Sequence, residues 1–491
     1  MEKTICELFA GVGGFRLGFE NFSKEWKTVW FSQWEPADKE QWAHGCYVKH
    51  FGTLLDLDGE DKTNIDIHEV DKNKIPNHTV LVGGFPCQDY SVARSLNNEK
   101  GIEGKKGVLW WDIRDTLSAK KAPFGLFENV DRLLKSPSKQ RGRDFGIIIS
   151  CLAGLGYNVE WRVINAAQYG GPQRRRRIFI FVYKNNTAFA QRLLGGFGKM
   201  NSAKKVEHVE KILTQSGFFA QQFPVKPNIK IEAPQKILKG KSNEDLVEIT
   251  QNFEFDFKNA GCMINDTIYT GRVSEIEEKE IPLGAILQNN CNYPEYNDIQ
   301  QYGKYTSKYP VENKYYIAHE RLYYENTGKK NYNEYEEGTP TADIKSTWQY
   351  LKGGKKLRRI ARRKDESGKE EEFEYTFSEG AISFLDEWDK SARTMLTSES
   401  SFNRSTHIIK DMETGQIRIL TPIEAERIQG FDDNWTMYAS MPVKDEHNNI
   451  IAREDKIMPD RKRYFMMGNA LVVPMITRMA RAIDGIVEQE R

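Results

Sequence analysis

The chain has 491 residues, of which 39% are hydrophobic and 12% aromatic, so it is long enough for two or three domains with substantial cores. Its 71 basic and 70 acidic residues leave a net charge of +1, so the overall balance indicates no polyanionic partner, and any such site must come from local clustering. The six cysteines form no CxxC pair and no apolar run reaches the roughly 18 residues of a membrane helix, so neither a metal site, a disulfide framework nor a membrane span is indicated.

A glycine-rich turn follows the first predicted strand. Residues 4–10 are predicted to form that strand, and the glycines within residues 11–18 lead at once into a helix. Such glycines permit a tight turn and bring backbone N–H groups against a nucleoside ligand. A second strand, about residues 29–33, ends near Glu35, where an acidic side chain can hold ribose hydroxyls. An ordinary turn and a solvated charge are the alternatives, but the order favours nucleoside binding without specifying the nucleoside.

Residues 64–67 are predicted to end a third strand. Asp66 within them could accept a hydrogen bond from an adenine amino group. Most aspartates in such a setting cap turns instead. The residue alone therefore leaves both interpretations open.

Cys87 lies just after the apolar run 79–82, which predicts a short buried strand. Gly83 and Gly84 end the strand, and Pro86 fixes the turn. The cysteine is thereby predicted on a rigid loop at the carboxyl end of a strand, where open α/β sheets bind ligands. It is a candidate nucleophile. Free cysteines are more often buried apolar fillers, so the local stretch does not decide.

Two later segments contribute further polar groups to the predicted sheet. An apolar helix opens at residues 106–113, and the next strand, 123–127, ends in Glu128. Two consecutive strands thus deliver Cys87 and Glu128 to the same sheet edge, although a helix cap is the commoner role of a glutamate there. After a helix at 143–155 and a strand at 157–164, four arginines within residues 173–177 precede the strand 178–183. Arginines next to a buried strand are costly unless they meet anions or a polar base edge, and a solvated charge run is the alternative.

The α/β alternation fades after about residue 185, and polar, tyrosine-rich sequence continues to about residue 390. Eight basic residues and no acidic one lie between Lys352 and Lys364, and an acidic run follows at 370–372. A basic loop of this kind suits a phosphate backbone. A flexible surface hairpin with self-compensating charge is an equally weighted alternative.

Regular helix signals return near the end of the chain. Thr421 and Pro422 predict a helix start with a capping box. Residues 468–470 precede an apolar-periodic helix at about 472–486. They could be a plain helix start, and would be more if that helix returned to the neighbourhood of the first strand.

The order of these motifs resembles that of the DNA (cytosine-5-)-methyltransferases of the prokaryotic or phage restriction–modification type. The matching stretches are ELFAGVGGFRLGFE at 7–20, GGFPCQDYS at 83–91, FENV at 127–130, QRRRR at 173–177, LTPIEAERIQGF at 420–431 and GNALVVP at 468–474. The resemblance implies an α/β fold: a Rossmann-like S-adenosylmethionine-dependent methyltransferase sheet with a second, smaller target-recognition domain. It also implies S-adenosylmethionine as cofactor and double-stranded DNA as partner.

The resemblance assigns roles residue by residue. Cys87 would be the nucleophile, Glu128 the partner of the cytosine ring edge, and Arg175 and Arg177 the paired arginines. The expected cofactor pocket consists of Phe9, Gly11, Gly14, Glu35, Asp66, Leu109, Asn469 and Ala470.

The resemblance also predicts the organisation of the chain. Residues 1–184 would form the catalytic and cofactor-binding domain, 185–395 the target-recognition region, 396–460 the remainder of the small domain, and 461–491 a helix returning to the catalytic domain. The expected protein is a monomer of the bacterial cytoplasm that associates with the nucleoid through DNA, without membrane contact. It would pair functionally, but not as a stable complex, with a cognate restriction endonuclease.

Three other readings of the motifs compete with this one. The same chemistry could act on transfer RNA, although that branch usually shows PPC in place of FPC. A catalytically dead DNA-binding protein could keep the fold, but Cys87, Glu128 and the arginine motif are intact. A nucleotide-binding oxidoreductase would explain the glycine loop, but it would leave the arginine cluster and Cys87 without a function.

Overall fold

The computed structural model describes residues 1–85, 109–288, 311–317, 352, 354–364, 370–401, 403–411, 414–447 and 449–490. The chain divides into two compact units. The first contains residues 1–280, 436–458 and 470–491, and the second contains residues 281–435 and 459–469. The predicted α/β class with a second, smaller domain is confirmed. Residues 185–280 belong to the first unit, although the predicted target-recognition region begins at residue 185.

The strands within the described residues are the following. They are β1 (Thr4–Leu8), β2 (Lys27–Ser32), β3 (Val80–Gly84), β4 (Phe124–Val130), β5 (Tyr157–Asn165), β6 (Arg176–Lys184), β7 (Gln235–Lys236), β8 (Ala260–Ile264), β9 (Thr267–Gly271), β10 (Lys355–Lys364), β11 (Glu370–Glu379), β12 (Ile408–Lys410), β13 (Ile417–Ile419), β14 (Tyr438–Lys444) and β15 (Ile450–Ile457).

The helices of the same residues are α1 (Gly14–Phe22), α2 (Trp42–Phe51), α3 (Trp110–Lys120), α4 (Arg143–Gly154), α5 (Ala188–Leu194), α6 (Ser202–Lys211), α7 (Asn243–Asn252), α8 (Pro422–Gln429), α9 (Asp460–Asn469) and α10 (Val473–Glu488). None of these described helices is both long and apolar enough to cross a membrane.

The first unit is built on one mixed sheet, with strand order β2-β1-β3-β4-β6-β5-β8-β9-β7. Strands β2, β1, β3 and β4 are parallel to their neighbours, and every pairing from β4–β6 onward is antiparallel. The apolar runs of β3, β4 and β6 are buried along their middle residues, as expected for strands covered on both faces. The carboxyl ends of β3 and β4 therefore lie at one edge, with the start of β6 beside them.

The last helix packs near the first strand. This is the arrangement under which residues 468–470 would be more than a plain helix start. Helix α10 packs on α1 so closely that a Cβ on Gly18 would lie 2.5 Å from Cγ2 of Ile476. Asp484 of α10 also accepts a hydrogen bond from Trp26 Nε1 at 2.9 Å and lies 2.7 Å from Lys3 Nζ. The glycine is thus required by this helix–helix contact.

The second unit has its own small core and a buried ion-pair network. Its apolar core includes Ile281, Leu283, Ile286, Leu287, Ile409, Leu420 and Ile428. The predicted capping box of α8 is confirmed, because Thr421 Oγ1 accepts from Glu424 N at 3.2 Å and Glu424 Oε2 accepts from Thr421 N at 2.9 Å. Both Glu424 oxygens also accept from the buried Arg418 guanidinium at 2.7 Å, so the helix start is fixed from inside.

One predicted feature is wrong. Residues 64–67 do not end a strand, because Asp66 instead caps the short 3-10 helix Ile67–Glu69. Beyond residue 184, where the predicted α/β alternation fades, β8 and β9 extend the sheet as a hairpin. Asn265 and Asp266 lie between two runs of β-branched and apolar residues, a pattern typical of a β-hairpin. The hairpin was not predicted because the regular alternation of helices and strands fades in this part of the sequence.

Candidate active site

Backbone hydrogen bonds join the ends of β3 and β4. Gly84 pairs with Glu128 in the strand register. Phe85 N donates to the Glu128 carbonyl at 3.3 Å, and Asn129 Nδ2 donates to the Phe85 carbonyl at 2.8 Å. The chain is thus held at the position two residues before Cys87. Cys87 itself lies outside the described residues.

Glu128 forms an ion pair with Arg177. The distance from Glu128 Oε1 to Arg177 Nε is 2.8 Å, and the two side chains are only 14% and 17% exposed. The pairing follows from the antiparallel register of β4 and β6, in which Arg177 lies opposite Val130. Two of the sequence-predicted catalytic residues therefore meet at the same sheet edge.

The four consecutive arginines differ in exposure, because side chains of an extended chain point alternately to opposite sides. Arg174 and Arg176 are exposed, and Arg176 pairs with Asp131 at 3.2 Å. Arg175 is 3% exposed and Arg177 is half-buried, as the period of two requires. Burial lowers the pKa of Arg175 to about 9; the nearby charge of Arg177 adds to the shift and that of Glu128 opposes it. Arg175 is therefore a buried cation at neutral pH.

Arg175 and Arg177 line a small pocket in the first unit. The other lining residues are apolar: Ile164, Ala166, Phe179, Leu471, Val472 and Met475. The pocket therefore combines two cationic side chains with apolar walls. Leu471 and Val472 directly precede α10 and Met475 lies in its first turn, so the segment after Ala470 contributes to this pocket.

The glycine loop after β1 has the backbone geometry that a bound ligand would require. Phe9 and Gly11 have φ angles of 54° and 56°, which lie in the left-handed region. A Cβ built on Gly11 would meet no heavy atom within 4 Å, so the backbone there faces open space. Gly11 N donates to Gln33 Oε1 at 2.6 Å, which ties the loop to the end of β2. Gly14 begins α1 directly after the loop.

Glu7 stabilises the glycine loop through hydrogen bonds, a role that was not predicted from the sequence. Its buried carboxylate accepts from Phe15 N at 3.1 Å and from the Tyr47 hydroxyl at 3.3 Å. Burial raises the pKa of Glu7 to about 8, while the Arg16 charge opposes the shift. A glutamate inside the apolar first strand, four residues before Gly11, was the available signal.

Hydrogen bonds to nearby residues fix the Glu35 main chain and the Asp66 side chain. Glu35 is half-buried, and its main chain exchanges hydrogen bonds with the Gln41 side chain at 2.8 and 2.9 Å. Asp66 Oδ1 accepts from His68 N at 3.0 Å, so this carboxylate caps a turn, as the alternative reading allowed. Capping occupies one oxygen and fixes the orientation of the carboxylate.

A buried aspartate connects the Asp66 turn to helix α3. Asp112 lies 3.0 Å from His68 Nδ1 and 3.1 Å from Lys72 Nζ. Leu109 directly precedes α3 and packs against the main core. The two segments that carry Asp66 and Leu109 are therefore joined through Asp112. An acidic residue in the first turn of an apolar helix was the only sequence signal for it.

The remaining predicted pocket residues follow helix α9. Asn469 is the last residue of α9, in the second unit, and is exposed. Ala470 begins the final segment of the first unit and is half-buried. Among the described residues, no cluster of histidine, cysteine, aspartate and glutamate could hold a metal ion.

Comparisons with known proteins identify relatives along the whole chain. Residues 3–485 match the family model described as C-5 cytosine-specific DNA methylase. The Type II methyltransferase M.Sau3AI of Staphylococcus aureus is 40% identical over 487 residues, covering 98% of this chain and 95% of that protein. The Type II methyltransferase M.NgoBI of Neisseria gonorrhoeae is 37% identical, over 38% of this chain and 53% of that protein. Among solved structures, the S. pombe Dnmt2 methyltransferase matches with a TM-score of 0.47 and 12% identity, over 99% of this chain and 98% of that one.

Proposed function

The chain belongs to the C-5 cytosine-specific DNA methylase family, and on that premise we propose that it methylates carbon 5 of a cytosine flipped out of a specific duplex DNA sequence, with S-adenosylmethionine as donor. It is a DNA cytosine methyltransferase of the restriction–modification type. The observation that carries the finer proposal is the group formed by Glu128, Arg177 and the buried Arg175 at the sheet edge that leads to Cys87.

Cys87 acts as the nucleophile in this proposal. Carbon 5 of cytosine is unreactive because the ring is electron-poor. Addition of the thiolate at carbon 6 converts the ring to an enamine and places electron density on carbon 5, which splits one difficult step into two. A thiolate suits this role because it is intrinsically nucleophilic and available near neutral pH. After methyl transfer, loss of the carbon-5 proton expels the thiolate and restores the ring.

Glu128 and the two arginines bind the ring edge. Negative charge develops toward ring nitrogen 3 as carbon 6 is attacked, and Glu128 is assigned to that nitrogen. Arg175 binds the base carbonyl and shares the charge, which is most effective in a site that excludes water. Arg177 holds the Glu128 carboxyl in place, as the 2.8 Å pair supports.

The glycine loop would hold S-adenosylmethionine, which would supply the methyl group. The open backbone at Gly11 fits a ligand pressed against the loop, and the N-terminus of α1 follows at Gly14. Phe9, Glu35, Asp66, Leu109, Asn469 and Ala470 complete the proposed pocket. Among these, Glu35 is assigned to the ribose hydroxyls and Asp66 to the adenine amino group.

The target base must leave the duplex, because carbon 6 is not accessible to a thiolate inside the base stack. Extrusion costs a few kcal/mol, which contacts to the base and phosphates offset. Sequence-specific contacts are assigned to residues 185–395, and residues 396–460 and 461–491 complete the small domain and return the chain to the catalytic domain. The enzyme would act in the bacterial cytoplasm as a monomer, on nucleoid DNA, with a restriction endonuclease of matching specificity.

Transfer of labelled methyl groups from S-adenosylmethionine tests this function. We expect label in duplex DNA as 5-methylcytosine, and none in transfer RNA. Bisulfite sequencing of DNA from cells that express the protein should then show methylation confined to one sequence. Label in transfer RNA, or methylation without a common sequence, would contradict the proposal.

A further inference from the structure

The Arg478 guanidinium joins helix α10 to three segments that are distant from it in the sequence. Its Nη1 donates to the Tyr169 carbonyl at 3.1 Å, and its Nη2 donates to the Gln222 carbonyl. The same two nitrogens donate to the Glu278 carboxylate, at 2.8 Å to Oε2 and at 2.7 Å to Oε1. All four residues belong to the first unit. Only the planar fork of an arginine offers donors in this arrangement, so a lysine could not make the same contacts.

Two aromatic rings confine this guanidinium to one orientation. The Arg478 Cζ atom lies 5.1 Å from the centroid of the Phe223 ring and 5.7 Å from that of the Tyr169 ring. The two rings are buried and meet edge to face, with centroids 5.1 Å apart. The Tyr169 hydroxyl also donates to the Pro224 carbonyl at 3.1 Å. Because only 24% of the Arg478 side chain is exposed, solvent weakens its contacts less than those of a surface arginine.

A second, buried arginine holds the segment that Arg478 contacts at Gln222. Arg162 of β5 is 1% exposed, and its Nη1 donates to the Phe223 carbonyl at 2.9 Å. Its Nη2 donates to the Leu213 carbonyl, so this segment is tied to the central sheet at two points. The carbonyl that Arg478 binds at Gln222 is therefore fixed by the sheet.

Backbone hydrogen bonds connect Tyr169 to Arg175. Tyr169 ends the short 3-10 helix Ala166–Tyr169, and Gly171 N donates back to the Ala166 carbonyl at 2.8 Å. Ala166 N donates in turn to the Arg175 carbonyl at 3.1 Å. A Cβ on Gly171 would lie 2.8 Å from the Ala166 oxygen, so the turn closes tightly. The position of Tyr169 therefore sets the position of the Arg175 main chain.

Arg478 thereby connects two walls of the pocket that contains Arg175. Ala166 and Arg175 line the pocket from the turn, and Met475 lines it from the first turn of α10, three residues before Arg478. We propose that Arg478 is a positioning residue, which ties the α10 wall to the turn that carries Arg175. The inference rests on the proposed function, in which Arg175 binds the base carbonyl. Placement matters there because an error of about 1 Å can lower a rate by about 10².

Hydrogen–deuterium exchange of the protein without DNA or cofactor tests the positioning independently of the reaction. Arg478→Ala should speed deuterium uptake in peptides that cover residues 166–177, because the turn loses its anchor. Arg481→Ala is the matched control, since Arg481 lies on the same helix, carries the same charge and is exposed beside the Phe22 ring. It should leave uptake at 166–177 unchanged. Equal uptake there in the two variants would overturn the inference.

Kinetics test whether this anchor matters for the base. In single-turnover methylation with saturating duplex, Arg478→Ala should lower the rate about tenfold, because a misplaced Arg175 binds the ring edge poorly. The affinity for S-adenosylmethionine, measured by calorimetry, should stay unchanged, since Arg478 does not contact the glycine loop. A general loosening of the fold would lower both, and that result would contradict a positioning role.

Arg478→Lys separates the geometry of the fork from its charge. Lysine keeps the cation but cannot bind Tyr169, Gln222 and Glu278 together, so the rate should stay close to that of Arg478→Ala. Full recovery by lysine, or an equal loss of rate in Arg481→Ala, would overturn the inference. Failure of the unchanged enzyme to methylate duplex DNA would instead overturn the proposed function, and the exchange result would still stand.

Discussion

Glu128 Oε1 lies 2.8 Å from Arg177 Nε, and the two residues occupy adjacent antiparallel strands, β4 and β6. In the proposed mechanism the Glu128 carboxylate must meet the ring edge in one orientation, so it needs a fixed partner. The guanidinium provides this with directional N–H donors, which a lysine could not match. The ion pair therefore couples the carboxyl that we propose to bind the base to the arginine motif.

Removal of that partner should affect chemistry more than binding. Arg177→Ala is expected to lower kcat by about 10² to 10³, because the Glu128 carboxyl loses the group that orients it. Arg176→Ala is the matched control, since Arg176 is exposed and pairs with Asp131 instead. Single-turnover methylation of saturating duplex measures both. Equal losses in the two variants would show that only the total charge of the run matters.

The His68–Asp112 pair should make the stability of the fold depend on pH. The hydrogen bond to Asp112 raises the pKa of His68, with burial and the Lys72 charge opposing and Asp66 adding to the shift. Because the folded pKa lies above 6.5, the pair contributes fully below that pH and is lost as pH rises through the folded pKa. His68 is partly exposed, so we expect the pair to contribute only about 0.5 kcal/mol to the free energy of unfolding.

Urea unfolding of His68→Gln at several pH values tests this dependence. The variant should be less stable than the unchanged protein at low pH and should lose this part of the pH dependence, since glutamine does not ionise. Asp112→Asn is the complementary variant and should destabilise the fold further, because it also removes the partner of Lys72. A stability difference between His68→Gln and the unchanged protein that is constant with pH would contradict the coupling.

The contact between α1 and α10 predicts a steric cost at Gly18. Gly18→Ala would place a Cβ 2.5 Å from Ile476 Cγ2, so we expect it to destabilise the fold by about 1 to 3 kcal/mol. Ile476→Ala in the same chain should couple to Gly18→Ala, because it removes Cγ2 and leaves only the Cβ of residue 476, 2.6 Å away, as a close side-chain contact. Urea unfolding of the single and double variants measures the coupling. Additive effects would mean that the helices do not pack as described.

The sequence was most informative where buried strands end in polar residues. The apolar runs 79–82 and 123–127 correspond to β3 and β4, and the expectation that Glu128 lies at their shared edge agrees with the register to Gly84. Periodicity predicts such elements because both faces of these strands are buried. The same reasoning failed at residues 64–67, where a capping aspartate stands in a polar turn.

Other features depended on partners that are distant in sequence. The ion pair between Glu128 and Arg177 requires β6 to lie antiparallel beside β4, which no local pattern specifies. Glu7 and Asp112 likewise acquire their roles only when α1 and the His68 segment fold against them.

Mass spectrometry of the stalled reaction tests the central claim most directly. Duplex DNA with 5-fluorocytosine at the methylated position should trap the enzyme, because the fluorine at carbon 5 blocks the loss that normally releases the thiolate. We expect one covalent adduct, formed only with S-adenosylmethionine and mapped to the peptide that contains Cys87. Cys87→Ala should form none while keeping its cofactor affinity. An adduct on another side chain, or methylation by Cys87→Ala, would contradict the mechanism.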